Sequence, residues 1–323
     1  MSAPLVSVVV LTYNPSWPRL KPTLVSVLRQ QNVSFELILS DDGSPDNLHH
    51  ESQTLFQSHR FSSFLLLPSS ENRGTVKNLL AALEKARGKY VYVLSPGDFF
   101  YDENSLSALS SFADEKSAAL CFGESVSYYL APGGGLVLPA DRPLAPSRPA
   151  LYNDPSLFRQ KAAFFFLDYI LGAAYFRRAD TLRKYLHRIE PFVKYAEDTP
   201  STLFALADGV PLYYFPAPVV FYDCGSGISS RRESRWSRVL AAEYRAAYDT
   251  LLHDYPGDRV LRCAWRYRYD KHESEPVWRQ VLVDPAVVWA FYRRRRVPVR
   301  LNDASEENRR RLVDFLNDRE VLP

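Results

Sequence analysis

Val6-Ser7-Val8-Val9-Val10-Leu11-Thr12-Tyr13-Asn14 decides the reading of this 323-residue chain. Residues 6–11 are aliphatic except for one serine, too continuously apolar for a strand with one face in water, and they predict a strand buried on both faces. Thr12, Tyr13 and Asn14 then place polar groups at its carboxyl end. The pattern recurs outward, with strands predicted at 35–39, 64–67 and 90–94 and helices at 20–29 and 76–86. Such alternation describes an α/β protein, a mostly parallel sheet flanked by helices on both faces. Ligands of open sheets collect beyond the carboxyl ends of the strands.

The polar signals sit at that edge. Asp41-Asp42-Gly43-Ser44 follows the second strand, Asn72-Arg73-Gly74 lies past the third, and Ser95-Pro96-Gly97-Asp98 follows the fourth. A carboxylate at 41 or 42 can accept hydrogen bonds from a ribose or from the imide of a base, although Asp and Gly are also ordinary turn residues. Asp98 offers oxygens suited to Mg²⁺ or Mn²⁺ bridging protein and diphosphate, or simply completes a Pro-Gly turn. Tyr195-Ala196-Glu197-Asp198 precedes a helix predicted to begin at 198. Its carboxylates either cap that helix or remove the proton of an attacking sugar hydroxyl.

In this order the elements resemble family 2 of the glycosyltransferases, with the GT-A (Rossmann-like) fold, over residues 5–225. Residues 6–14 are similar to the family's opening strand and turn, Asp41-Asp42-Gly43-Ser44 to its acidic turn, and Asn72-Arg73-Gly74 with Gly88-Lys89-Tyr90 to the helix leading to the metal strand. Leu171-Gly172-Ala173-Ala174-Tyr175-Phe176-Arg177-Arg178 resembles the acceptor-side strand and Glu197-Asp198 the catalytic pair. The resemblance implies an inverting transferase of hexosyltransferase type, moving a sugar from a nucleoside-diphosphate sugar, in the first place a UDP-sugar, to a glycan or lipid-linked acceptor. It implies nucleotide binding by Thr12, Tyr13, Asn14, Asp41, Asp42 and Asn72, with Asp41 supporting the turn. Asp98 would hold Mn²⁺ or Mg²⁺, Asp198 would be the general base and Glu197 its positioning neighbour. Two departures stand out. Asp98 keeps only the last of the family's usual aspartates, and Leu79 replaces an expected arginine, which leaves Lys77 and Arg73 as the nearby cations for the donor. The thinned acidic segment supports a second reading, a weakly active or inactive nucleotide-sugar-binding partner subunit.

The remaining chain divides further. Residues 131–155, rich in Pro and Gly, read as a long loop. Order returns at 169–176, with a helix at 179–188 and two short strands at 212–215 and 219–222. Beyond Gly225-Ser226-Gly227 the sequence reads as helical. The expected domains are therefore 1–228, with a nucleotide half at 1–100 and an acceptor half at 101–228, and a helical extension at 229–323. A net charge of +3 does not point to nucleic acid. Arg293, Arg294, Arg295 and Arg296 are either a solvated face or a contact to anionic lipid. Apolar runs fall well short of the roughly 20 residues of a spanning helix. Cys121, Cys224 and Cys263 suit a reducing compartment. These features, with the family, imply a cytoplasmic protein, peripheral at the inner face of a bacterial membrane, in surface-polysaccharide synthesis.

Overall fold

The computed structural model describes residues 3–131, 133–139, 142, 144, 146, 149–154, 156–167, 170–226, 235–269 and 306–321. Four strands, β1 (Val6–Thr12), β2 (Phe35–Asp41), β3 (Phe64–Pro68) and β4 (Tyr90–Leu94), form a wholly parallel unit in the order β3-β2-β1-β4. The crossovers carry α1 (Trp17–Leu28), α2 (His49–Ser58) and α3 (Thr75–Lys85). The period-2 side-chain alternation of a strand explains why β1 carries aliphatic residues on both faces. Val6, Val8 and Val10 enter one core with Leu20 and Leu24 of α1, whereas Val9 and Leu11 enter the other with Val76 and Leu79 of α3.

The other half of the sheet mixes directions. β5 (Phe99–Phe100), α4 (Ser105–Glu115), β6 (Leu120–Leu130), β7 (Leu136–Val137), α5 (Pro149–Tyr152) and α6 (Leu157–Ala162) come next, and β8 (Tyr175–Arg178) inserts antiparallel between β4 and β6. After α7 (Ala179–Ile189) and α8 (Asp198–Ala207), β9 (Leu212–Asp223) pairs parallel with β6 and antiparallel with β5. The expected mostly parallel sheet is thus present, with β1–β4 wholly parallel, β6 and β9 parallel as well, and antiparallel pairing entering through β5, β7 and β8. Instead of two short strands there is one, because register shifts opposite Glu124 absorb the Pro216-Ala217-Pro218 interruption without ending the pairing. The expected loop at 131–155 contains β7, which pairs with the end of β6, and the short helix Pro149–Tyr152.

Helices α9 (Arg235–Asp254) and α10 (Arg259–Tyr269) pack into the same core as α7 and α8. Ala247, Tyr248, Leu251, Val260, Leu261 and Ala264 are all buried there. A polar clasp reinforces the contact. Asp208, after α8, accepts from Lys184, Arg188 and Tyr185 of α7 and from Tyr255 between α9 and α10. These partners hold its carboxyl well below the usual carboxylate range despite the opposing effect of burial. The helix Glu306–Leu316 packs beside β5, where Phe315 stacks on Phe99 at 4.6 Å, and just beyond it Asp318 and Glu320 pair with Arg29. No helix among the described residues is long and apolar enough to cross a membrane. Arg293 to Arg296 lie outside the described residues, as does the boundary expected near 228.

Candidate active site

The carboxyl ends of β1, β2, β4 and β9, together with the start of α8 and one face of α9, enclose a cleft of about 730 Å³. Thr12, Tyr13, Asn14, Asp42, Asn72, Asp98, Glu197 and Asp198 all line it. Two expected nucleotide contacts do not. Asp41 is 1% exposed and serves the turn, accepting from Thr12 Oγ1 at 2.9 Å, Ser44 N at 2.7 Å and Ser44 Oγ at 2.6 Å. Lys77 lies 3.9 Å from Glu190 of α7, while its neighbour Asn78 faces the cleft. A helix turns about 100° per residue, so a lysine one position from a cleft-lining residue is carried toward the flank.

On the nucleotide side, Asp42 accepts from the backbone N–H groups of Arg73 (2.9 Å) and Gly74 (2.8 Å), fixing the segment after β3 against the segment after β2. Each carboxylate oxygen has a second lone pair for a ligand. The Tyr13 side chain is 54% exposed at the cleft rim, an open aromatic surface.

At the centre, Asp98 is not alone. Asp223, at the end of β9, donates its N–H to Asp98 Oδ1 at 3.0 Å and presents a second carboxylate to the same cleft. Asp223 in turn accepts from Arg19 of α1 at 2.8 Å, from Gly225 N at 2.9 Å and from Ser226 Oγ. Arg19 also donates to Pro96 O at 2.6 Å. Gly97 adopts φ +103°, and a Cβ there would lie 2.7 Å from Arg19 Nη2 and 2.9 Å from Asp223 Oδ2, so the Pro-Gly turn is what lets the two strand ends meet. Burial raises Asp98 to about 7, with the Asp223 carboxylate adding to the rise and its N–H opposing it. Two converging carboxylates, one raised by burial, would suit a hydrated divalent cation. Among the described residues no cluster of three His, Cys, Asp or Glu offers an all-protein cage.

On the far side, Asp198 begins α8 and Glu197 precedes it. Asp198 Oδ1 accepts from Thr199 N at 2.6 Å, whereas Oδ2 lies where a Cβ on Gly172 would come within 3.1 Å. Burial raises both carboxyls above the usual range, and the charge of Asp198 raises Glu197 further. Arg177 of β8, 2% exposed and 4.4 Å from the Tyr175 ring, opposes that rise. Glu197, pushed up to about 8, therefore keeps its proton into the neutral range, and the raised Asp198 beside it is a stronger base than an ordinary aspartate. Trp236, Leu240 and Tyr244, at i, i+4 and i+8 of α9, line the cleft beside it.

Sequence reasoning passed over Arg19, Asp223 and the α9 residues. Asp223 carried the same signal as Asp98, a carboxylate ending an apolar strand, and Arg19 had none, since its partner is 204 residues away.

The fold and the cleft define a GT-A protein, a sheet whose strand ends gather carboxylates into one groove. Residues 7–137 match the family described as Glycosyl transferase family 2. An uncharacterized glycosyltransferase of Haemophilus influenzae is 29% identical over 103 residues, 32% of this chain and 40% of that protein. The structure of S. aureus TarS superposes with a TM-score of 0.57 at 17% identity, covering 96% of this chain and 53% of TarS. S. aureus TarS 1-349 in complex with UDP gives 0.56 at 17% identity, over 96% and 88% of the two chains. Mannosyltransferase PcManGT from Pyrobaculum calidifontis, in complex with GDP-Man and Mn²⁺, gives 0.56 at 15% identity, over 97% and 79%. The chain thus spans 40% of its curated relative and about half of full TarS.

Proposed function

We propose that this protein is an inverting glycosyltransferase that moves a sugar from a nucleoside-diphosphate sugar, a UDP-sugar in the first place, to a hydroxyl of a glycan or lipid-linked acceptor. The observation that carries the reading is the convergence of Asp42, Asp98, Asp223 and the Glu197–Asp198 pair on one cleft. Asp42 and the Tyr13 ring meet the nucleoside. Asp98 and Asp223 mark the diphosphate position and would hold Mn²⁺ or Mg²⁺, which would supply positive charge to the departing phosphate. Asp198 orients the acceptor and takes its proton. As the acceptor oxygen bonds to the anomeric carbon, the bond from that carbon to phosphate oxygen breaks, and the electron pair leaves with the nucleoside diphosphate. The family and the UDP and GDP-Man complexes of its structural neighbours support the donor class. Synthesis of bacterial surface polysaccharide at the inner face of the membrane is the setting we assign.

Asp198→Asn tests the assignment. The variant is expected to bind nucleotide as the wild type does and to lose about 10²–10⁴-fold in transfer, because only the proton acceptor is removed. Unchanged turnover, measured as nucleoside diphosphate released with acceptor present, would refute it.

A further inference from the structure

The turn that delivers Glu197 and Asp198 has almost no secondary structure of its own, yet its backbone is fixed from two sides. From α3, Val76 N donates to Lys194 O at 3.0 Å. From α9, a single carboxylate takes three consecutive N–H groups. Glu243 Oε1 accepts from Lys194 N at 3.0 Å and Tyr195 N at 3.2 Å, and Oε2 accepts from Tyr195 N at 3.0 Å and Ala196 N at 2.8 Å. Glu243 is 8% exposed. Successive backbone N–H groups pointing inward form an anion-binding concavity, and charge-assisted bonds to it are roughly twice as strong as neutral ones. Here the anion is a side chain from 47 to 49 residues downstream. On the same helix, Trp236 packs edge-on against Tyr195 at 4.9 Å.

We propose that Glu243 is a positioning residue for the proton-accepting pair, clamping residues 194–196 so that Asp198 faces the acceptor hydroxyl. The inference rests on the transferase reading above. Clamped backbone sets the direction of the next two side chains, and a misplacement of about 1 Å at the reacting groups can cost on the order of 10²-fold in rate. Glu243 also acts through its charge. The groups facing Glu197 are Asp198, Arg177 and Glu243, and of these Glu243 and Asp198 make Glu197 harder to ionise while Arg177 makes it easier.

The test compares Glu243→Gln and Glu243→Asp with the wild type. Glutamine keeps the size but turns an N–H toward other N–H groups, while aspartate keeps the charge on a shorter arm. For Glu243→Gln the expected results are kcat lower by about 10–100-fold, a Kd for UDP within twofold of wild type, and a rising limb of the pH–rate profile displaced to lower pH. Glu243→Asp recovers part of the rate and keeps the wild-type limb. Hydrogen exchange supplies an independent readout, with the amides of Lys194, Tyr195 and Ala196 protected in the wild type and exchanging rapidly in Glu243→Gln. Unchanged kcat and limb, unprotected wild-type amides, or loss of UDP affinity in proportion to rate would each overturn the proposal. A wild type with protected amides that transfers no sugar would instead defeat the transferase reading and leave the clamp standing.

Discussion

The two halves of the sheet achieve burial by different routes. In residues 6–94, β1, β2 and β3 pair in succession through short helical crossovers, β4 returns to lie parallel to β1, and the two faces are filled mainly by aliphatic side chains. In the second half, β6 and β9 pair across about ninety residues, and polar groups are buried along with apolar ones. Glu124, Ser125 and Ser127 of β6 are each under 5% exposed. The first half is a scaffold legible residue by residue. The second is assembled from distant pieces, and the destabilised carboxyls lie where the pieces meet.

The contrast can be broken most forcefully at Leu251, fully buried in α9. If α9 belongs to the second half rather than to an appendage, Leu251→Ala lowers the free energy of the main unfolding transition by about 2–5 kcal/mol in urea titration. An unchanged main transition would return α9 to the status of a separate extension.

Asp98 gives the next largest effect. Its folded-state value of about 7 lies above that of an unfolded aspartate, so its contribution to stability is greatest at low pH and is lost as pH rises through about 7. Asp98→Asn removes that loss while its side-chain oxygen can still accept from Asp223 N. In metal-free buffer the variant is expected to exceed the wild type in stability by on the order of 2 kcal/mol at pH 8 and to converge with it near pH 4. A constant difference across that range would contradict the ionic origin.

Arg177→Met probes the pair proposed as catalytic, Glu197 and Asp198. Without the buried guanidinium the pair holds its proton to higher pH, and since the base must be unprotonated to act, the rising limb moves upward. A displacement of about one unit costs roughly tenfold at pH 7, recovered in more alkaline buffer. A uniform loss at every pH would assign Arg177 to packing alone. Finally, Lys77→Ala should leave donor affinity unaltered and stability within about 0.5 kcal/mol, because Lys77 makes only a half-exposed ion pair. A tenfold weaker donor would restore it to the nucleotide site.

What the sequence conveyed follows the same division. β1 and β4 were legible because nearly every residue is apolar, and Asp42, Asp98 and Asp198 because each ends a strand or starts a helix at the edge where ligands gather. Helix α2 was obscure, with only Ser52, Leu55 and Phe56 buried among polar residues. Strand β6 was hidden by its buried Glu and Ser. Arg19 and Glu243 were silent for a common reason. Each acts through a partner at least 47 residues away, and no local pattern of apolar and polar positions encodes that distance.

The pairing of β6 with β9 also orders events in time. A ribosome releases the chain from its N-terminus, and structure forms as segments emerge. The parallel unit is complete by Leu94, but β6 waits for β9, Asp98 waits for Asp223, and the turn at 194–196 waits for Glu243. During synthesis the protein therefore acquires the Asp42 side of its cleft well before the machinery around Asp198. An interrupted chain would hold part of the donor surface with none of the clamp.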